Sequence, residues 1–257
     1  MTRPKTAFAL PAVLATVVLA AGCGSSGSSP GSSASGSGSD APTSARTASG
    51  GHRNQAGFVA RVDNQWFPLL AGSVWIYHGI KDGKRSRDVV TVSNETNVID
   101  GIRCTVVKDR LFLAGSLEER TTDWYAQDKG GNVWYFGEET AELDPSGKVT
   151  SREGTWRAGR DGAVAGIYLP GTPRIGQSGR QENYKGRAED HFQVLSLSAS
   201  VRTPGASARN ALLTKEWTPL EPNVLDHKFY VSGVGNVKEQ SVKGPLERNI
   251  LVSFRGP

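Results

Sequence analysis

Two cysteines, one methionine and four histidines in 257 residues leave little room for thiol or metal chemistry. Two cysteines permit at most one disulfide, and none if one of them is otherwise engaged. The chain has no Gly-x-Ser-x-Gly elbow between a strand and a helix, no His-Glu-x-x-His, no Cys-x-x-Cys and no glycine loop for phosphate. No catalytic residue, no metal site and no cofactor is therefore expected. An excess of one charge is also lacking, since 30 Lys+Arg against 25 Asp+Glu give a net +5. The densest basic cluster is Lys81, Lys84, Arg85 and Arg87, read as a solvated turn. Nucleic-acid binding would need a basic face with stacking aromatics or a known motif, and neither is present. Long apolar runs are missing beyond the first residues, and a mean hydropathy of −0.38 excludes several membrane helices. Apolar residues at 37% together with 31 glycines still make an ordinary globular composition.

The first 23 residues have the layout of a bacterial lipoprotein signal peptide. Arg3 and Lys5 supply the charged start, and residues 7–19 form an apolar run too short to span a bilayer. The run ends in Leu19-Ala20-Ala21-Gly22-Cys23, which resembles the lipobox, in which small residues precede a cysteine that takes diacylglycerol on its sulfur. Ala20 stands where the family prefers leucine. Cys23 is thus the predicted lipidation site, for diacylglycerol and a further palmitate-type chain. It anchors the protein to the membrane on its extracytoplasmic side. Residues 24–51 contain no Leu, Ile, Val, Phe, Tyr or Trp. Such a segment cannot offset its ordering entropy by burial. Residues 24–57 are read as a disordered Ser/Gly-rich tether, with an end-to-end reach of about 30 Å.

From residue 58 the texture is all-β. Short runs of aromatic and β-branched residues alternate with polar ones, and Asp100-Gly101, Ala114-Gly115, Gly130-Gly131 and Asp144-Pro145-Ser146-Gly147 mark turns. Cys104 alternates with Ile102 and Val106, which predicts a buried free thiol. The two halves of the domain look alike. Tyr125 and Tyr230 are 105 apart and Val133 and Val237 are 104 apart, and similar offsets relate Gly72 to Gly176, Val90 to Leu195, Val92 to Leu197 and Val107 to Leu212. Residues 58–257 are therefore read as a duplicated antiparallel β domain with halves of about 64–150 and 170–254. Each half would carry five to six strands, together forming a curved sheet, half-barrel or sandwich. Residues 154–179, rich in Gly and Pro, are read as a crossover or a binding loop.

Aromatic residues are the functional hint. Trp124-Tyr125 and Trp134-Tyr135-Phe136 put rings on both faces of their strands. Trp75, Tyr77, Tyr125, Tyr135 and Trp156 are the candidates for a ligand-facing surface; otherwise they pack a core. Glu189-Asp190-His191 and Asp226-His227 alternate across their strands, which spoils both as chelates. Asp128 to Asn132 lacks the alternating acids of a calcium loop.

The strings Asp123-Trp124-Tyr125-Ala126-Gln127-Asp128, Gly131 to Glu138, Thr218-Pro219-Leu220-Glu221-Pro222 and Tyr230 to Val237 resemble a family of uncharacterised bacterial, actinobacterial-type envelope lipoproteins. The last hairpin is similar to one in half-barrel lipoprotein carriers. One departure is Gly179, where the family carries an aromatic matching Trp75. The resemblance implies an envelope protein, and the family has no established activity to carry over. Together these features predict a non-enzymatic binding module for an apolar small molecule or an envelope partner. The alternative is an assembly lipoprotein that docks another envelope protein.

Overall fold

The computed structural model describes residues 54–257; Cys23 and most of the tether lie outside them. The last residues assigned to the tether, 55–57, form a 3₁₀ turn capped by the Asn54 side chain. Seventeen strands follow. The first seven are β1 (Val62–Asn64), β2 (Phe67–Leu69), β3 (Val74–Lys81), β4 (Lys84–Ile99), β5 (Ile102–Leu113), β6 (Ser116–Gln127) and β7 (Val133–Leu143). Then come β8 (Val149–Ser151), β9 (Trp156–Arg157), β10 (Val164–Leu169), β11 (Ser178–Arg180) and β12 (Glu182–Asn183). The last five are β13 (His191–Arg202), β14 (Ser207–Trp217), β15 (Leu225–Val231), β16 (Gly235–Lys243) and β17 (Arg248–Arg255). The segment read as a crossover or loop thus holds β9, β10 and β11.

Apart from the β1–β2 hairpin, the strands form one sheet in the order β11-β13-β14-β15-β16-β17-β3-β4-β5-β6-β7-β10-β12. Every pairing along it is antiparallel. Its two edge strands are consecutive in the chain: Ser178–Arg180 pairs with β13 and Glu182–Asn183 pairs with β10. One extended segment therefore serves both edges, and the sheet bends round into a nearly closed barrel. This confirms the curved antiparallel architecture. Closure leaves few unpaired strand edges, which is one way a large sheet avoids edge-to-edge association.

The order contains two similar runs, β11-β13-β14-β15-β16-β17 and β3-β4-β5-β6-β7-β10. The turns before β3 and β11 are alike in their bonds. Gly72 donates to the Val92 carbonyl and Val92 to that of Ser73; Gly176 donates to Val194 and Val194 to Gln177. Val194, not Leu197, thus stands in the place of Val92. The β6–β7 and β15–β16 hairpins also differ in length: Gln127 pairs with Val133, whereas Val231 pairs with Gly235. Asn236 faces Tyr230 as Tyr135 faces Tyr125. At Gly179 the missing aromatic is replaced from the neighbouring strand. A Cβ on Gly179 would lie 2.9 Å from the ring of Phe192, which fills that space.

Alternation sends the large side chains inward, as a half-exposed pleated strand requires. The core runs from Trp75 and Val90 through Val107, Tyr125 and Tyr135 to Tyr168, Leu212, Tyr230 and Val237. The β1–β2 hairpin packs into one end. Phe67 lies edge-on to Tyr125 at 5.4 Å and against Tyr168 at 4.5 Å. Asn64 ties the hairpin down by donating to the carbonyls of Gly131 and Pro170 at 2.8 and 3.2 Å.

Candidate functional site

The five rings expected to face a ligand all lie inside the barrel, 0 to 4% exposed. Tyr125 and Tyr135 stack at 4.6 Å, Tyr168 meets both edge-on, and Trp156 stands perpendicular to Tyr135 at 5.4 Å. Trp75 stacks on Phe254 at 5.1 Å and donates its indole N–H to the Val234 carbonyl at 2.7 Å. Tyr77 donates to the Asn236 carbonyl at 2.9 Å. The space beside Trp75 and Tyr77 is about 10 Å³, the size of a single water probe. Trp75, Tyr77, Tyr125 and Tyr135 touch neighbouring rings and backbone, whereas Trp156 also lines an outer cleft. Of the contiguous pairs, Tyr125 and Tyr135 point in, whereas Trp124 and Trp134 belong to the outer face.

Around the rings the interior is unexpectedly polar. Asp88, Asp109, Glu119, Asp123, Glu138, Glu182, Glu216 and Glu239 are all buried, together with Lys81 and Lys228. Lys81, read from the sequence as part of a solvated basic turn, is thus an interior residue. The acids share the inward parity of the core: Glu119, Thr121, Asp123 and Tyr125 are alternate residues of β6, and Thr214 and Glu216 of β14. That polar alternation in line with a buried tyrosine was the available signal, and a search for catalytic motifs passes over it.

Burial decides the protonation of these acids. It pushes Asp123 up to about 8, with the Glu119 and Asp88 charges adding and the Tyr135 hydrogen bond opposing. Burial and the charge of Asp123 raise Glu138 well above the usual carboxyl range. The Tyr135 hydroxyl lies 2.7 Å from Asp123 Oδ1 and 3.1 Å from Glu138 Oε2. Its single proton can be donated to either carboxyl oxygen. Burial first, then the Asp88 charge, raises Asp109 well above its ordinary range, and burial raises Asp88 too. Neighbouring carboxylates in a dry interior disfavour each other's ionisation. Lys228 is different: it forms a buried ion pair with Glu216, which also accepts from Thr214 at 2.9 Å and from Tyr230 at 3.1 Å. These attractions outweigh burial and raise the ammonium of Lys228.

The remaining polar candidates have structural partners. Asp128 is occupied in its own loop, accepting from Asn132 N, Asn132 Nδ2 and Trp134 Nε1 at 3.0, 2.8 and 2.8 Å. His191 stacks on Trp217 at 5.4 Å and lies 2.7 Å from the Glu189 carbonyl. Among the described residues no group of three His, Cys, Asp or Glu has metal-binding geometry. Cys104 is a buried free thiol, as alternation predicted, and burial raises it to about 12.

A cleft opens instead on the outer face of β6 and β7. Its volume is about 450 Å³, within the range of ligand pockets. Its far wall is the 152–161 segment, whose β9 pairs antiparallel with β7 at Gly137 and Glu138. Gly137 makes that approach feasible, since a Cβ there would lie 2.3 Å from the Trp156 carbonyl. Arg157 lies over the Trp124 ring at 4.4 Å, a cation–π contact. Arg152 pairs with Glu139 at 3.2 Å, and Arg160, Asp161 and Tyr184 complete the rim. The cleft can hold a polar partner between arginines, acids and an aromatic edge.

No protein-family model and no curated protein matches the chain. Among solved structures it is similar to a candidate exported protein with a YmcC-like fold from Bacteroides fragilis. That likeness has 13% identity and a TM-score of 0.45 and covers 75% of this chain and 100% of that one. It is also similar to a candidate lipoprotein from Parabacteroides distasonis, with 10% identity and a TM-score of 0.41, covering 75% of this chain and 99% of that one.

Proposed function

We propose that the protein is an extracytoplasmic lipoprotein, anchored through Cys23, whose barrel is a non-enzymatic binding module that engages an envelope partner on its outer surface. The observation that supports this reading is the filled interior. The candidate rings pack against one another, and the space beside Trp75 and Tyr77 is only about 10 Å³. A small apolar ligand would have to displace that packing. Of the interior acids, Glu138 reaches the floor of the outer cleft. The outer cleft over β6 and β7, in contrast, is open, and its exposed arginines and acids suit a polar partner. An assembly role is favoured by one further feature: Val242 and Leu246, on the two sides of the β16–β17 turn, are 53% and 73% exposed.

Site-specific photocrosslinking in living cells tests the proposal. A photoreactive residue at Arg160 or Tyr184 should give a discrete adduct, and the same residue at Arg209, on another face, should not. Adducts at Arg209 alone, or none from the cleft, would defeat it.

A further inference from the structure

On the reading that Cys23 carries a lipid, we infer that the outer face of β17, β3 and β4 docks onto the anionic headgroup surface of the membrane that holds the tether. The registers build this face row by row. Arg248, Ile80 and Arg85 lie side by side across three strands, and Ile250, His78 and Arg87 form the next row. Arginine thus flanks isoleucine in the first row, and Arg87 and His78 carry the polar character into the second. Between them runs a shallow groove of about 770 Å³, which Val252 also lines and which no acidic residue lines.

Among the described residues, none of the ion pairs involves Arg85, Arg87 or Arg248. Arg87 rests on the Phe112 ring at 5.4 Å instead. One strand further on, Arg110 stands directly opposite Arg120 across β5 and β6. Like charges in facing positions destabilise a sheet unless an anion lies between them. A surface that combines fixed cations with half-buried isoleucines fits phosphate headgroups above an apolar boundary. The tether, with a reach of about 30 Å, keeps the domain beside such a surface, so a weak contact suffices.

The test uses the lipidated full chain in two sets of vesicles, pure phosphatidylcholine and phosphatidylcholine with phosphatidylglycerol. Arginines are modified with phenylglyoxal and their rates are read individually by mass spectrometry. Arg85, Arg87 and Arg248 should react about five-fold more slowly on the anionic vesicles, the factor expected from one basic residue's attraction to such a surface. Arg152 and Arg160, in the β6–β7 cleft, should react equally on both. Inorganic phosphate added to phosphatidylcholine vesicles should protect nothing. Arg85→Ser/Arg87→Ser, with an unchanged circular dichroism spectrum, should release the protection at Arg248. Equal rates on both vesicles would overturn the inference. So would protection by polyglutamate in place of phosphatidylglycerol, which would assign the face to an acidic protein. Flotation separates the two readings. Flotation with anionic vesicles alone means docking without a lipid anchor, and flotation with neither defeats both.

Discussion

The buried acids predict that the protein loses stability as the pH rises from 5 to 8. Burial lifts Asp123 to about 8, against an ordinary aspartate near 3.9 in the unfolded chain. An acid raised in this way holds more protons when folded than when unfolded. Its contribution is fully present below the unfolded value and disappears as the pH climbs through the folded one. Each such group is worth about 1.4 kcal/mol per pH unit, so Asp123 alone accounts for about 4 kcal/mol between pH 5 and 8. Burial also lifts Glu239 to about 8 and Glu119 to about 7, which steepens the fall. His227, which burial lowers, acts in the opposite sense but is largely solvated and weak. A domain typically has about 5–15 kcal/mol in all, so the effect is large. Urea unfolding followed by tryptophan fluorescence at pH 5, 6, 7 and 8 measures it. Asp123→Asn keeps an oxygen for the Tyr135 hydroxyl but cannot ionise, so its slope should be shallower by up to about 1.4 kcal/mol per unit. A protein as stable at pH 8 as at pH 5, or an Asp123→Asn variant with the parent slope, would refute the protonated interior.

Further predictions follow from packing and from the leader. Tyr135→Ala and Trp156→Ala should each cost about 3–5 kcal/mol in chemical denaturation, because each removes a buried ring with several ring contacts. A loss below 1 kcal/mol would mean that the ring is not core. Gly137→Ala should cost at least about 2 kcal/mol, since the position has φ +124° and its Cβ would run into the Trp156 carbonyl; thermal unfolding reports this. Native protein should react with a bulky thiol reagent at Cys104 only on the unfolding timescale, and prompt labelling would contradict its burial. Cells fed a palmitate analogue should label the parent chain and not Cys23→Ser, and equal label would end the case for the lipid anchor.

Local sequence decided a great deal here. The small residues before Cys23 and the apolar-free stretch behind it are chemical signals that need no fold. Strand identity was equally legible, because period-two alternation and turn residues such as Asp100-Gly101 act over a few residues. The same alternation placed Cys104 inside and separated Tyr125 from Trp124. It could not say what an inward position would meet. Trp75, Tyr77, Tyr125, Tyr135 and Trp156 suited a binding face as well as a core until the barrel curved and the β1–β2 hairpin filled its end. Lys81 belonged to a basic cluster by sequence, yet its parity on β3 carries it inward, away from Arg85 and Arg87. The acids of β4 to β7 met only when those four strands came into register, and their raised pKa values arise from that shared burial. The outer cleft needed the 152–161 segment to pair alongside β7. The arginine rows needed β17, from the end of the chain, beside β3 from its beginning. Contacts across the sheet join residues as far apart as Val74 and Arg255, and no local pattern encodes which strands become neighbours.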